Sequence, residues 1–316
     1  MRLPLYVMNY YMSSKNRHNM KKIIFYLFFS LIASTLSAVE MDSSVIFKAS
    51  FLKNELQSYQ ISRGLYTIKK ADTTSFERIK FNADIYVKDS TENYYLLNWR
   101  FSKFSINTDD QQLTQLIALA KPVEISCRIS KVGVFMEFLD GEKVSACLEE
   151  ALPVVLAQFA NKKSDADKAQ VARIYDLRET METLMLRSII QFHQVYGLGY
   201  KLDEVVDVPT EVNSRFSSTP IKGIIRKKLT KIDTENNIAV LSTATFLDTK
   251  EFQKAFKEYL HIGAIPESSL NQENMGSIVM DLSTGWVLWT FDQRETKVGN
   301  EKYGEQIEIQ HINDVH

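Results

Sequence analysis

The sequence predicts an α+β protein in which two related, curved antiparallel β-sheets pack against helices. Three observations lead to this prediction: long segments alternate apolar and polar residues, tight turns join them into hairpins, and amphipathic helical segments separate the hairpins. The 316 residues are 45% hydrophobic and 24% charged, which is typical of a globular chain. With only 6 Pro and 11 Gly, long disordered linkers are not expected.

Residues 1–38 have the organisation of a signal region. Two lysines, Lys21 and Lys22, precede the apolar run Ile23–Leu36, and small residues follow up to Ala38. A helix that spans a bilayer needs about 20 apolar residues, so this run is too short to span one comfortably. We interpret it as a cleavable signal peptide, with an uncleaved N-terminal anchor as the alternative.

Export would place the mature chain in the periplasm or outside the cell. Residues 1–38 contain five of the 38 basic residues and none of the 39 acidic ones, which leaves 33 basic against 39 acidic residues and a net charge of −6. This balance disfavours nucleic acid as the partner. No second long apolar segment follows, so no stable transmembrane segment is expected after cleavage. Translation is expected to begin at Met20, with a long polar leader as the alternative.

The N-terminal β-rich half, residues 39–163, holds the clearest strand signal. Ile79–Lys88 alternates apolar and polar residues, and Tyr95–Phe101 returns after a turn. After Phe101 the apolar residues fall on the other face of the strand, which predicts a β-bulge near Ser102. Earlier in the chain, Ser44–Lys53 is apolar enough for a first strand.

Helical segments follow within the same half. A short helix fits Asp109–Ala120, with Asn107 or Thr108 as its N-cap. A hairpin over 123–139 leads into a second helical segment, which Pro153 should kink because a proline inside a helix loses one hydrogen bond and clashes with the preceding turn.

Residues 164–200 are predicted to form a long connecting helix. Ser164 and Asp167 have the spacing of a capping box, and apolar residues recur at spacings of three to five from Val171 to Phe192. Gly197 should end the helix.

The C-terminal β-rich half, residues 201–316, resumes the hairpin pattern. A hairpin over 221–247 precedes a capped helix that begins at Asp248, and a second hairpin covers 277–294. The same order of hairpin, capped helix and hairpin occurs in the N-terminal half. An internal duplication explains this order, and chance recurrence in an α+β chain is the alternative.

No motif assigns a catalytic, cofactor or metal role to any residue. The histidines of the mature chain lack the spacing of metal ligands. They are His193, His261, His311 and His316. We interpret His193 as an ordinary residue at a helix end, and the acid pairs Asp109-Asp110 and Glu149-Glu150 as solvated helix residues.

The two cysteines, Cys127 and Cys147, lie on the apolar faces of neighbouring predicted elements, a strand and the helix after it. An oxidising compartment would allow them to form a disulfide. Two buried thiols are the alternative, because the sequence does not give the geometry of the pair.

Two further patterns each have two interpretations. The basic residues between Lys222 and Lys231 form either a charged edge or wet face of a sheet or a contact for anionic lipid or polysaccharide. Trp289 and Phe291 are two residues apart and so point to the same face of their strand. This indicates either core packing or an exposed aromatic face for a ligand.

Several turn and strand motifs recur in a known group of proteins. They are Phe81–Val87, Tyr95–Trp99, Ile129–Gly133, Leu202–Glu204 and Met280–Trp286. In these motifs, and over most of residues 45–312, the chain resembles a family of uncharacterised secreted proteins of Gram-negative bacteria. The resemblance implies secretion but assigns no role to any residue. At the level of the fold, long antiparallel strands with a helix on their concave face also resemble periplasmic lipoprotein carriers.

Three function hypotheses follow. The first is an exported, non-catalytic envelope protein that needs no cofactor and binds an apolar or lipid-like ligand between sheet and helices. A large continuous apolar cavity would support it, and a fully filled interior would count against it. The second is a structural or assembly partner of another envelope protein, which requires an exposed apolar patch or an unpaired edge strand. The third, less favoured, is a hydrolase with dispersed carboxylates, which requires acids clustered in a cleft.

Overall fold

The computed structural model describes residues 43–69, 72–160, 164–212, 220–260, 270–298 and 300–312. The expected signal region with its start at Met20 and its cleavage near Ala38 lies outside the described residues. So do His261 and His316.

Strands account for most of the described chain. The strands are β1 (Ser44–Ile46), β2 (Leu56–Lys69), β3 (Asp72–Ser90), β4 (Tyr94–Asn107), β5 (Val123–Ser130), β6 (Phe135–Phe138), β7 (Gly199–Lys201), β8 (Val205–Val212), β9 (Ile221–Asp233), β10 (Ile238–Leu247), β11 (Leu270–Asp281), β12 (Val287–Val298) and β13 (Glu301–His311). The helices are α1 (Gln111–Ala118), α2 (Ala146–Glu149), α3 (Ala151–Leu156), α4 (Asp165–His193) and α5 (Thr249–Leu260), with 3₁₀ turns at Gly141–Ser145 and Ala157–Phe159.

Eleven of these strands form one large, curved antiparallel sheet in the order β6-β5-β4-β3-β2-β13-β12-β11-β10-β9-β8, and β1 pairs with β7 in a second, two-stranded sheet. The α+β class with two antiparallel sheets is therefore confirmed. The strands of both halves, however, share the large sheet, because β2 pairs with β13 along its length, with Ile61 opposite Ile309. The other neighbours in this sheet are also neighbours in the chain. The segment from β6 to β8, which carries α2, α3 and α4, therefore runs from one edge of the sheet to the other.

The large sheet contains two meanders with the same order. Each has four strands with a helix between the second and third, namely β3-β4-α1-β5-β6 and β9-β10-α5-β11-β12. This is the order that suggested a duplication. The duplication itself stays a hypothesis.

One face of the large sheet packs against α4 in a single hydrophobic core. The strands contribute alternate residues, among them Ile61, Phe81, Trp99, Leu241 and Ile309. The helix contributes Ile174, Leu177, Met181, Leu184 and Phe192. Burial of each such side chain stabilises the fold by about 1.5–3 kcal/mol relative to exposure. The core therefore fixes α4 against strands from both halves.

Three local predictions are confirmed. Ser164 and Asp167 form the capping box of α4, with the Ser164 Oγ accepting from Asp167 N at 3.1 Å. The pairing of β3 with β4 shifts register immediately after Ser102. The helical run before α4 is divided at Glu150, three residues before Pro153, and the N–H that proline lacks would have bonded to the carbonyl of Glu149.

The end of the sheet where β2 begins is closed by residues 47–51, which we call the strap. A first strand was expected over Ser44–Lys53, but only Ser44–Ile46 is a strand. The strap donates its backbone hydrogen bonds to three separate loops instead of one neighbouring strand. The bonds are Phe47 N to Leu198 O at 3.2 Å, Ala49 N to Val132 O at 3.1 Å and Ser50 N to Thr284 O at 3.3 Å.

Aromatic packing holds the strap in place. Phe51 stacks on Trp286 with ring centroids 3.8 Å apart, and Phe47 packs on Tyr200 at 5.1 Å. Gly285 has a φ of +75°, and a Cβ there would lie 2.2 Å from the carbonyl oxygen of Lys48. The strap can therefore cross this turn only because residue 285 is a glycine.

We predict that Gly285→Ala destabilises the fold by about 2 kcal/mol or more, because the new methyl group would displace the strap and occupy a left-handed conformation. Urea unfolding followed by circular dichroism measures the effect. Gly199→Ala is the control, since a Cβ at that position of the same end meets its nearest neighbour at 3.8 Å and φ is not positive. Equal free energies of unfolding for the two variants would contradict the role given to Gly285.

Candidate ligand-binding cleft

A cleft of about 640 Å³ opens at the other end of the sheet, away from the strap. β2 leaves the strap end at Leu56 and reaches the cleft at Leu65, where the start of α1 and the first half of α4 approach β2, β3 and β13. Small-molecule sites in proteins commonly measure about 300–1,000 Å³, so the cleft has the size of such a site.

Asp110 forms the polar wall of the cleft. Its Oδ1 accepts from the backbone N–H groups of Gln112 at 3.0 Å and Leu113 at 3.2 Å, so Asp110 is the N-cap of α1. Its Oδ2 lies 2.8 Å from Nη1 of Arg173 and accepts from Gln170 at 2.7 Å, and both partners belong to α4. This one carboxylate therefore ties α1 to α4.

Two predictions about this region are wrong. The N-cap is neither Asn107 nor Thr108, because Asp110 stands next to the free N–H groups of the first turn of α1. Asp110 is also not solvated, since its side chain is only 7% exposed. Its neighbour Asp109 is exposed, as expected for that residue.

Glu77 lies across the cleft from Asp110. Its Oε2 is 3.9 Å from Nη2 of Arg173, so the guanidinium group stands between the two carboxylates. With Asp109 at the mouth, the described lining residues contain three acids and one base.

Leu65 and Tyr303 supply apolar side chains to the lining on the face of the sheet that packs against α4, whereas the Tyr66 side chain points to the opposite face. Tyr66 lies flat over Gly304, where an added Cβ would be 1.9 Å from the ring, so the glycine makes room for the tyrosine. The Tyr66 hydroxyl donates to Glu295 Oε1 at 2.7 Å. Burial, and then this carboxylate, raise the pKa of Tyr66, so the side chain stays an uncharged phenol. Phe76 lies directly across from Tyr66 in the pairing of β2 with β3 and shares that opposite face, so among the described aromatic lining residues Tyr303 alone is on the face of Glu77.

A partly buried ionic group adjoins the cleft, because Glu305 lies directly across from the lining residue Leu65 in the pairing of β13 with β2. Glu305 binds Arg63 at 2.6 Å and Arg187 at 3.5 Å, and Arg187 also reaches Asp292 at 3.3 Å. Burial raises the pKa of Glu305, but the two guanidinium groups outweigh it and hold the pKa at about 2. At Asp292 burial prevails and the pKa is raised. The group links α4 to three strands.

The structure separates the residues that the sequence singled out. His193 is buried beside the strap, and its Nδ1 lies 3.0 Å from the carbonyl oxygen of Gly133, whereas His311 contacts Gln57. Within the described ranges, no three histidine, cysteine, aspartate or glutamate side chains are grouped so that they could hold a metal ion.

Cys127 and Cys147 are both buried and are separate thiols in the structure. Burial raises the pKa of each to about 12, which keeps the thiols protonated and unreactive. Their pairing in an oxidising compartment stays a prediction.

The basic strand β9 is not an edge, because β8 and β10 lie on either side of it. Most of its cations are paired, for example Arg226 with Asp207 at 2.8 Å. Lys227 is buried and donates to the carbonyl of Gln194 at the end of α4, at 2.8 Å. The interpretation as a charged edge is therefore wrong, whereas the exposed Lys222, Arg226 and Lys231 fit the alternative of a wet face of the sheet.

Trp289 is buried as the sequence indicated, but it lies outside the main core. It stacks on Phe291 with centroids 5.8 Å apart and donates to Glu308 at 2.8 Å.

Sequence reasoning missed the cleft because its parts come from distant segments. Gly304 within a strand marks only the close approach of the Tyr66 ring on the opposite face of the sheet. Nothing in the sequence joins Arg173 to Asp110.

Comparisons with known proteins add little to this geometry. No family model matches the chain, and no curated protein matches its sequence. The resemblance to secreted proteins of Gram-negative bacteria therefore stays a prediction. Among solved structures, a chain from work on lipid–protein interactions in lipovitellin aligns with a TM-score of 0.39 and 8% identity, over 83% of this chain and 25% of that one. The present chain thus spans about a quarter of the lipovitellin chain, and a similarity of this size supports no conclusion about the present chain.

Among the described helices, none combines the length and apolar character needed to cross a bilayer.

We predict that Asp110→Ala lowers the free energy of unfolding by about 1–2 kcal/mol, because α1 loses its N-cap and Arg173 loses its partner. Asp109→Ala, one residue away and exposed, should stay within about 0.5 kcal/mol of the wild type. Thermal and urea unfolding of the two variants measure the difference. If Asp109→Ala were as damaging as Asp110→Ala, the cap assignment would be wrong.

We predict that acid destabilises the fold through His193. Burial lowers its pKa from 6.5 to about 3, so below pH 6.5 the unfolded chain takes up a proton that the folded chain excludes. The stability from this residue is therefore lost as the pH falls, by about 2 kcal/mol between pH 7 and pH 5. His193→Gln should remove this part of the pH slope, as urea unfolding at several pH values would measure. An unchanged slope in the variant would refute the assignment.

Proposed function

We propose that this chain is an exported, non-catalytic protein of the bacterial envelope that binds an apolar or lipid-like ligand in the cleft. The observation that carries the proposal is the cleft itself, with a volume of about 640 Å³. On the face of the sheet that packs against α4, Leu65 and Tyr303 line it together with charged and polar side chains such as Glu77 and Ser75. A ligand with both an apolar and a polar part matches such a lining.

The extent of the core supports this location for the ligand. Beside the strap, the space between α4 and the sheet is filled by packed side chains such as Trp99, Phe192 and Trp286, all of them almost fully buried. At the cleft, Tyr303 is 39% exposed and Leu65 is half-buried. Apolar area at this end is therefore accessible to a ligand and would be removed from water by binding.

The signal region supports the envelope location, because a positively charged segment followed by a short apolar run is the pattern of an export signal. Fractionation of cells that express the native chain would test the location, and recovery from the cytosol would contradict it.

Assembly with another envelope protein is the second candidate, and one observation favours it. Four apolar side chains on one face of neighbouring strands β8–β11 are exposed by more than two fifths. They are Val205, Ile224, Phe246 and Met275. A patch of this kind can mark a contact surface.

We predict that Ser75→Trp abolishes ligand binding, because the indole would fill part of the cleft from an exposed position that tolerates a larger side chain. The measurement is mass spectrometry of lipids that remain bound to protein purified from the periplasm. Ser105→Trp is the matched control, since Ser105 is an exposed strand residue that does not line the cleft. We expect the wild type and Ser105→Trp to retain the same lipid and Ser75→Trp to lose it. A wild-type protein free of lipid, or equal retention by both variants, would contradict the proposal.

A further inference from the structure

We propose that the strap end of the sheet docks on the surface of a lipid bilayer through exposed aliphatic side chains. The surface, which we call the docking face, consists of Ile46, Val132, Val134 and Leu198. It lies at the other end of the sheet from the cleft. The inference rests on the export in the proposed function but not on ligand binding in the cleft.

The side chains of the docking face lie side by side around the loop between α4 and β7. A Cβ added at Gly197 would lie 2.6 Å from Cγ2 of Val134 and 3.5 Å from Cγ2 of Val132. One added at Gly199 would lie 3.8 Å from Cγ1 of Ile46. The three side chains therefore cover the two glycines, and the leucine between the glycines completes one continuous apolar surface.

Much of the docking face is in contact with water in the isolated chain. Ile46 is 67% exposed, and the other three side chains are each exposed by more than a third. Branched aliphatic side chains gain free energy by leaving water, so a group of them on adjoining loops marks a surface that a partner covers.

The preceding part of the chain favours a bilayer as that partner. The apolar run Ile23–Leu36 enters a membrane during export, whether it is a cleaved signal or an anchor. Only the residues 37–43 separate this run from β1, and they can extend over about 25 Å at most. Because Ile46 belongs to β1, export brings the docking face to the membrane surface.

A lysine on the same face of the two-stranded sheet fits anionic lipid headgroups. The register of β1 with β7 places Lys201 opposite Ser44 and Gly199 opposite Ile46. Side chains of paired residues point to the same face of a sheet, as do residues two apart in a strand. Lys201 and Ile46 therefore face the same side, and a bilayer that covered Ile46 would place its headgroups near the ammonium group.

A second lysine lies within the strap. Lys48 is exposed and follows Phe47, whose N–H donates to the carbonyl of Leu198 in the docking face. In the described part of the chain, no carboxylate lies within ion-pair distance of Lys48 or Lys201. The exposed Glu204 follows Lys201 closely and offsets part of this charge, so apolar contact supplies most of the attraction and the lysines add to it.

Vesicle flotation of the mature chain tests the inference. One set of vesicles contains phosphatidylethanolamine with a minority of phosphatidylglycerol, and the other contains phosphatidylcholine alone. We expect the wild type to float with both sets and to bind the anionic one about fivefold more tightly, because each lysine near anionic lipid adds to the attraction.

Variants locate the contact. Ile46→Asp and, separately, Leu198→Asp place a charge in the docking face, so each should lower the partition coefficient at least about tenfold. Ile224→Asp is the matched control, since Ile224 is 42% exposed but lies in β9, outside the docking face. Ser75→Trp, which fills part of the cleft, should bind vesicles as the wild type does. Circular dichroism verifies that each variant is folded.

The outcomes separate this inference from the proposed function. If the wild type floats with neither set of vesicles, or if both folded docking-face variants bind as the wild type does, the inference is overturned, while retention of lipid by the purified protein still tests the cleft. Loss of vesicle binding in Ser75→Trp would assign the contact to the cleft and overturn the inference. Self-association of the wild type that Ile46→Asp abolishes, without binding to vesicles, would assign the docking face to a second copy of the chain and overturn it as well.

Discussion

The pairing of β2 with β13 is the constraint on which the rest of the structure depends. It joins the first and last strands of the large sheet, with Ile61 opposite Ile309, and so turns two meanders into one surface. The chain must then cross from β6 to β8, and it does so through the segment that contains α4. Because both edges of the sheet are connected in this way, α4 packs against strands from both halves and one core serves the whole sheet.

The two ends of this core differ in how they are completed. At one end the strap supplies Phe47 and Phe51, and aromatic rings fill the space between α4 and the strands. At the other end Asp110 joins α1 to α4 through Arg173 and Gln170, in addition to the apolar packing of residues such as Leu113 and Ile174. Charged groups must keep partners or water and cannot fill space as closely as aromatic rings, so this end stays open. The position of the cleft follows from that difference.

Local features of the fold were predictable because their signals are local. Alternation of apolar residues in β3, the capping box at Ser164 and the bulge after Ser102 each depend on neighbouring residues. The union of the two halves was not predictable, since β2 and β13 are remote in the chain and strand pairing leaves no mark in either sequence alone. For the same reason Asp110 was misjudged as solvated, because its partner Arg173 lies in another helix.

The central claim is that a lipid-like ligand occupies the cleft, and photo-crosslinking tests it most directly. A single-chain amphiphile with a diazirine in its alkyl chain is irradiated with the mature protein, and the labelled peptides are identified by mass spectrometry. The account predicts labels on the segments that contain Leu65, Ser75 and Tyr303. Labels confined to the segments that contain Ile224 and Phe246 would contradict it, because those residues belong to the exposed patch of the second candidate.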